Sequence, residues 1–326
     1  TLFGSLSGSS VAASVAIGGV LIPMEEKEGY DKKFAAAVNI ASAPTGLIIP
    51  PSGILIIYPV LAGCSVVGMI MSGYIPGLMW ALACMVVAYV IAKKNHYPTA
   101  GKVPASVFFK YFVDAIPSLL LIVIIVGGVM SGIFTATESA AVAVAYTLFL
   151  SIVVYRSIKI KDLPKILLDA CETTAIIMFL IAGSNVMSFV MSFTGLPSAI
   201  GNALISVSSN KYVILLIINL VLLVVGCFMD ITPAVLIFTP IFLPVVQSFG
   251  MDPIHFGIMM VMNLGIGNIT PPVGSSLFSG CSVADMDMED MIKPILPFYA
   301  AIFVALMLVA YVPWFSMALP TLFGAV

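Results

Sequence analysis

From Phe34 to Ala92 the chain carries no Asp, Glu, Lys or Arg. About 20 apolar residues cross a bilayer, so this stretch alone is long enough to cross twice. Further uncharged runs cover 115–137, 139–155, 173–210, 253–284 and 294–326. Only 9% of the 326 residues are charged and 61% are hydrophobic, whereas soluble domains carry roughly a quarter charged residues. Mean hydropathy is +1.18. A soluble fold is excluded, and the expectation is an all-α polytopic membrane protein.

The basic residues orient the spans, because short loops rich in Lys and Arg stay in the cytoplasm. Lys27, Lys32 and Lys33 form one cluster, Lys93, Lys94, Lys102 and Lys110 a second, and Arg156, Lys159, Lys161 and Lys165 a third. Lys293 stands alone. Helices threaded at 32–63, 68–92, 115–134, 137–155, 165–194, 254–281 and 294–323 put all of these on one side if 211–247 enters and leaves on the other. Only Lys211 falls outside. A re-entrant hairpin at 211–247 satisfies that pattern, as would two full crossings. The C-terminus is then periplasmic. Segments 95–112 and 282–293 carry the charges the spans lack and read as interfacial arm helices. Tyr74, Trp80, Tyr97, Tyr155, Tyr299, Tyr311 and Trp314 mostly lie near span ends, as an interfacial belt requires, or, each taken singly, read as packing.

Net charge is −2 and the few basic residues sit in short clusters, so nothing suggests a nucleic-acid surface. Five cysteines (Cys64, Cys84, Cys171, Cys227 and Cys281) lie in apolar runs without a CxxC pair and read as small buried hydrophobes. No Walker motif, GxSxG elbow or dinucleotide fingerprint sits at a suitable junction, so no enzyme is expected.

An internal repeat organises the chain. A shift of 221 residues aligns Pro23 with Pro244, Gly29 with Gly250, Asp31 with Asp252, Gly46 with Gly267, Pro50-Pro51 with Pro271-Pro272 and Gly53 with Gly274. The matches fall on residues that set backbone shape, which do not coincide by accident as aliphatic residues do. The threading makes the two units opposite in direction, and inverted repeats with discontinuous helices build many secondary transporters. The expected blocks are 1–63 and 211–281, each a hairpin and a broken helix that move together. Residues 64–112 form a span and cytoplasmic arm, 113–210 the frame spans, and 282–326 an arm and the last span. The repeat also implies roughly 110–120 residues ahead of Thr1.

Each unit has a double proline in mid-span, Gly46-Leu-Ile-Ile-Pro50-Pro51-Ser52-Gly53 and Gly267-Asn-Ile-Thr-Pro271-Pro272-Val-Gly274. Two prolines remove two backbone donors and hold the preceding residue extended, so the helix breaks. Broken backbone at membrane depth is tolerated where it is buried in protein or lines a watery cavity. The carbonyls of 47–49 and 268–270, with the side chains of Ser52, Asn268, Thr270 and Ser275, make an oxygen set suited to a hard monovalent cation. Ahead of each break lies a short turn, Gly4-Ser5-Leu6-Ser7-Gly8-Ser9-Ser10 and Gly226-Cys227-Phe228-Met229-Asp230-Ile231-Thr232-Pro233. Such turns suit a hairpin tip offering hydroxyl ligands, or plain small-residue packing. Asp230 between two apolar runs is a candidate for function, or for capping the helix that follows. Thr135-Ala-Thr-Glu138 reads as a capping box. His96 and His255 have no acid or histidine at metal-ligand spacing.

Gly8-Ser9-Ser10-Val-Ala12, Ile22-Pro23 followed by Gly29-Tyr30-Asp31, Ile49-Pro50-Pro51-Ser52, Thr135-Ala-Thr-Glu138-Ser-Ala140 and Asn268-Ile-Thr270-Pro271-Pro272-Val-Gly274 resemble the large membrane subunit of tripartite ATP-independent periplasmic (TRAP) transporters. The resemblance runs over essentially the whole chain. It implies a bacterial inner-membrane elevator-type carrier with two hairpins, two broken helices and two Na+ sites. It also implies a small four-helix membrane subunit and a periplasmic binding protein that delivers an organic acid. The first Na+ site is expected at Ser9, Ser10, Gly46, Ile49, Pro50 and Ser52, and the second at Gly226, Asp230, Thr232, Gly267, Asn268 and Thr270. Ser5, Ser7, Ser52, Asn268 and Ser275 are the expected substrate contacts.

Sialic acid and C4-dicarboxylates are family substrates, with sialic acid slightly ahead on overall resemblance. The one arginine, Arg156, lies on the cytoplasmic side, so no buried guanidinium grips a carboxylate. The competing readings are a stand-alone sodium–dicarboxylate carrier of the same fold, a channel or scaffold, and an intramembrane enzyme. Channels need no coupling-ion sites, and an intramembrane enzyme needs convergent His, Asp or Ser groups at one depth.

Overall fold

A computed structural model of the chain describes residues 1–98, 104–128, 133–208 and 210–325. Residues 99–103 of the expected arm and 129–132 of the expected span 115–134 therefore lie outside the described residues. Contacts divide the chain into two units, Thr1–Pro98 with Asn185–Val326, and Thr99–Ser184. Among the described residues there is no strand, and six helices are long and apolar enough to cross a membrane.

The first unit opens with α1 (Leu2–Ser7), α2 (Ser10–Lys27), α3 (Lys32–Ser42), α4 (Thr45–Ile48), α5 (Ile54–Ala62), α6 (Val66–Ser72) and α7 (Tyr74–Lys94). The second holds α8 (Ala105–Ile122) and α9 (Ala136–Phe149), each continued by a π-helical turn, and most of α10 (Leu163–Thr194). The first unit resumes with α11 (Leu196–Val207), α12 (Lys211–Phe228), α13 (Ile231–Ser248), α14 (Pro253–Gly267), α15 (Ser275–Val283), α16 (Met288–Tyr311) and α17 (Trp314–Leu322).

The residues spaced 221 apart do the same local work twice. Asp31 and Asp252 are N-caps whose carboxylates accept the Phe34 and Ile254 N–H groups. Gly29 and Gly250 both take positive φ, +93° and +78°, where a side chain would be strained. The double prolines interrupt α4–α5 and α14–α15, so the two broken helices stand where the prolines place them. The segment 211–248 is two helices of 18 residues, because Met229 and Asp230 take extended backbone between them.

Packing crosses between the repeats. The second helix of each pair leans on the distal half of the other repeat's broken helix, α2 on α15 and α13 on α5. At the centre, every residue of α14 from Ile254 to Gly267 is buried. Small residues let these helices approach: the Asn39 amide on α3 donates to the Ser14 carbonyl on α2 at 2.8 Å, beside Gly18.

Several expectations are corrected. Trp80 is no belt residue: it is fully buried, and its indole N–H donates to the Ala41 carbonyl at 2.9 Å. Tyr299 likewise points inward, its hydroxyl donating to the Ile269 carbonyl. Residues 288–293 form no separate arm but start α16, where Glu289 and Asp290 complement the helix dipole and Asp290 pairs with Lys33. The expected span 294–323 stops at Tyr311, because Pro313 has no N–H and holds Val312 extended at φ −119°, ψ 93°. Residues 105–112 belong to α8. Cys171 is exposed, unlike the buried Cys84, Cys227 and Cys281.

In the second unit, Thr135 and Glu138 form the expected capping box. Glu138 Oε2 accepts the Thr135 N–H at 2.8 Å, and Thr135 Oγ1 accepts the Glu138 N–H at 3.2 Å. Apolar side chains such as Phe179 stay exposed on these helices, the surface lipid tails would cover.

Candidate functional site

The turn between α1 and α2 lies against the first break. A Cβ built on Gly8 would stand 3.6 Å from the Pro51 carbonyl oxygen and 3.7 Å from the Gly53 nitrogen. The turn between α12 and α13 lies against the second break in the same way, with the Cys227 carbonyl accepting the Val273 and Gly274 N–H groups at 3.2 and 3.3 Å. Glycines make each approach possible. A Cβ on Gly4 would lie 3.1 Å from Gly46 Cα, and one on Gly226 would lie 3.1 Å from Gly267 Cα. Each repeat therefore clamps a turn onto its own broken helix through one glycine pair.

The break carbonyls are partly engaged. Leu47 O accepts the Ser52 hydroxyl at 2.7 Å, Asn268 O accepts the Ser276 N–H at 3.1 Å, and Ile269 O accepts the Tyr299 hydroxyl. A carbonyl oxygen has two lone pairs, so those of Leu47 and Ile269 keep capacity for a further partner, whereas the Asn268 carbonyl also accepts the Leu277 N–H at 3.4 Å.

One polar network ties the second break to both turns. Asn268, almost fully buried, donates its amide to Ser10 Oγ at 2.7 Å and to Ser276 Oγ at 3.0 Å. Ser276 donates to Ser10 Oγ at 2.7 Å. The Ser275 hydroxyl faces two acceptors, Asn268 Oδ1 and Asp230 Oδ1, the latter at 2.7 Å. A hydroxyl has one hydrogen to donate. Oxygen lone pairs therefore outnumber hydrogens at this point, and one of the oxygens belongs to a carboxylate. Asp230 is the N-cap residue of α13, yet its side chain caps no backbone N–H there. Its carboxylate goes to Ser275.

The network is confined to one of the two related crossings. Shifting Ser10, Asn268 and Ser276 by 221 gives Ile231, Leu47 and Leu55, all apolar and buried. The repeats share a backbone plan but differ in side-chain chemistry where they cross.

Of the residues expected to act together, Asp230, Asn268 and Ser275 meet, and Gly226 and Gly267 pack beside them. Thr270 returns its hydroxyl to the Ile266 carbonyl at 2.6 Å, and Thr232 lies in the first turn of α13. Ser10, grouped with the first break in the sequence reading, bonds to the second break. Ser9 caps α2 through the Ala12 N–H, and Ser52 is buried on the Leu47 carbonyl. Ile49 closes α4 beside Pro50, and its N–H reaches the Thr45 carbonyl. Ser7 bonds to the Gly4 and Ser9 carbonyls within its own turn, and Ser5 is buried. Ser276 and Tyr299 were missed. Ser276 directly follows Ser275, on the helix facing the opposite turn, and Tyr299 gave no signal beyond its ring.

An all-helical, multi-pass membrane protein with an acceptor-rich polar knot at a broken helix has the build of a solute transporter. Residues 1–315 match the family described as "Tripartite ATP-independent periplasmic transporter, DctM component", and the chain belongs to that family. It is 51% identical over 325 residues to the "Uncharacterized protein YgiK" of Salmonella typhimurium, covering 99% of this chain and 74% of the relative. It is 38% identical to the "C4-dicarboxylate TRAP transporter large permease protein DctM" of Pseudomonas aeruginosa, over 99% of this chain and 76% of that protein. It is 37% identical to the "Sialic acid TRAP transporter large permease protein SiaM" of Vibrio cholerae, over 99% and 75% respectively. The chain is a TRAP large permease of the inner membrane, a transport protein and not an enzyme.

Proposed function

We propose that this permease imports an organic acid by sodium symport, receiving it from a periplasmic binding protein and working beside a small four-helix membrane subunit. The network of Ser10, Asp230, Asn268, Ser275 and Ser276 is the observation that carries this reading. Its surplus of oxygen acceptors around the Ser275 hydroxyl fits a small hard cation, with Asp230, Asn268 and Ser275 as the residues that would hold Na+. Bound there, the ion would supply the positive charge that the organic acid's carboxylate needs. The Asn268 amide and the hydroxyls then orient the anion, and the first break, with its hydroxyls turned onto local backbone groups, supports a second ion more weakly.

The substrate is an organic anion. The relatives named for C4-dicarboxylates and for sialic acid match almost equally, at 38% and 37%, so the slight preference for sialic acid gains no support from them. The two turns with their broken helices form the moving block of an elevator, re-entrant at 211–248, and the C-terminus is periplasmic. Contacts between the repeats, Asn268 to Ser10 above all, support motion of these elements as one body.

The test is sodium-driven uptake in proteoliposomes holding the full-length permease with its small subunit and binding protein. Asp230→Asn keeps the side chain's shape and removes its charge. The variant should elute as wild type in size-exclusion chromatography and lose most uptake, with its sodium requirement shifted upward. Wild-type uptake at ordinary sodium in that variant would end the assignment of Asp230 to the ion.

A further inference from the structure

Far from the two turns, where α12 begins and α13 ends, a cavity of about 230 Å³ opens between these helices, the start of α14 and the end of α16. Its depth in the membrane follows from α16. That helix, 24 residues long, carries Glu289, Asp290 and Lys293 in its first turns at one interface and ends at Tyr311. At 1.5 Å per residue it spans roughly 36 Å, more than the ~30 Å hydrocarbon core. Tyr311 therefore stands at the opposite interface, and the aromatic groups around it agree. Its hydroxyl donates to the Tyr212 carbonyl at 3.1 Å, the two rings meet edge-on with centroids 5.8 Å apart, and exposed Trp314 follows.

Three features of this cavity point to one occupant. Its apolar wall includes Leu215, Val246, Phe249 and Ala310, and a dry apolar cavity of about 150 Å³ already takes up a benzene-sized group. Its polar wall carries Lys211 and Asp252, and these opposite charges form no ion pair among the described residues. Lys211 is also the one basic residue that the charge asymmetry of the chain leaves on the far side, a position that works against the orientation set by the others. Its ammonium lies 5.2 Å over the Tyr212 ring. Asp252 spends Oδ1 on the Ile254 N–H at 2.7 Å.

We infer that this cavity binds a zwitterionic phospholipid carrying an ammonium headgroup, with its phosphate on Lys211, its ammonium on Asp252 and an acyl segment against the apolar wall. A wall that carries one cation and one carboxylate, unpaired with each other, offers a partner to each charge of a phosphoethanolamine headgroup. A purely anionic headgroup would meet Asp252 with repulsion. Bound between α12, α13, α14 and α16, the lipid would brace the end of the second helix pair that faces away from its turn.

Native mass spectrometry of the full-length permease, delipidated and titrated with phosphatidylethanolamine or phosphatidylglycerol, tests the inference. Wild type should retain phosphatidylethanolamine several-fold better. Lys211→Gln should lower that retention roughly tenfold, the loss expected for one charge-assisted hydrogen bond. Asp252→Asn keeps the helix cap, since Asn caps as well as Asp, and should reverse the preference towards phosphatidylglycerol. Leu215→Trp fills the cavity with both charges intact and should weaken retention of either lipid. Equal retention of the two lipids by wild type, or unchanged retention in Lys211→Gln and Asp252→Asn, would overturn the assignment. Neither outcome bears on sodium-driven uptake, which is measured separately.

Discussion

The glycine pairs that clamp each turn to its broken helix can be tested quantitatively, because the contact is lopsided in the same sense in both repeats. An ideal Cβ on Gly267 would fall 2.5 Å from both the carbonyl carbon and Cα of Gly226, whereas one on Gly226 would meet nothing closer than 3.1 Å. In the other repeat a Cβ on Gly46 would come within 2.6 Å of Gly4 Cα, and one on Gly4 would stay 3.1 Å away from Gly46 Cα. Ordinary contact begins at 3.4 Å, so Gly267→Ala and Gly46→Ala each require two backbones to part by nearly an ångström. Backbone cannot rotate aside as a side chain can, and overpacking of this kind costs about 1–3 kcal/mol. The Gly267 and Gly46 variants belong at the upper end of that range, and the Gly226 and Gly4 variants at or below its lower end. At roughly 2–4 °C per kcal/mol for a chain of this size, the first two should lose about 5–10 °C in thermal midpoint and the second two a few degrees at most. Gly53→Ala is the internal control, since a Cβ there meets nothing within 4 Å and Gly53 already has φ −61°. Heating detergent-solubilised protein and following the monodisperse fraction by fluorescence-detected size exclusion would read all five. If Gly267→Ala were no worse than Gly226→Ala, or Gly53→Ala as harmful as either, the close backbone approach would not be what holds turn to break.

Two further outcomes follow from other contacts. Asn263 on α14 donates to both the backbone and the side-chain oxygen of Asn219 at 2.8 Å, while its own Oδ1 has no partner among the described residues. Asn219→Leu leaves the buried Asn263 amide with one bond, to the backbone carbonyl of residue 219, and an unpaired Oδ1, whereas Asn263→Leu leaves only Asn219 Oδ1 without its donor, so the first should unfold at lower temperature by about 1 kcal/mol equivalent, and the reverse order would refute the pairing. Lys33 and Asp290 meet at 2.6 Å but their side chains are 46% and 51% exposed; a pair screened that well is worth ~0.2–1 kcal/mol, and Lys33→Gln should move the thermal midpoint by no more than about 3 °C.

What could be read from the sequence was local chemistry. Pro50-Pro51 and Pro271-Pro272 break their helices because a missing N–H and a fixed φ act on the adjacent backbone whatever surrounds it. The same holds for the capping box of Thr135 and Glu138, the N-caps Asp31 and Asp252, and the positive φ of Gly29 and Gly250. Uncharged runs longer than a bilayer leave helices as the economical way to satisfy the backbone, and the 221-residue spacing exposed the repeat because shape-setting residues recur where aliphatic ones drift. Tertiary structure decided which side chains meet. Ser10 and Ser276 are 266 residues apart and Ser10 and Asn268 are 258 apart, and no periodicity within either segment encodes that distance. The same is true of Trp80 and Tyr299, whose rings suit an interface as well as a core and which turn inward to donate to the Ala41 and Ile269 carbonyls. The repeats share one backbone plan, but α2 meets α15 through Ser10 and Ser276, with Asn268 at the break bonded to both, whereas their counterparts are Ile231, Leu55 and Leu47. Polar atoms buried in an apolar interior must find partners wherever the packing of distant helices supplies them, so the knot at the second break became visible only once α2 and α15 were side by side.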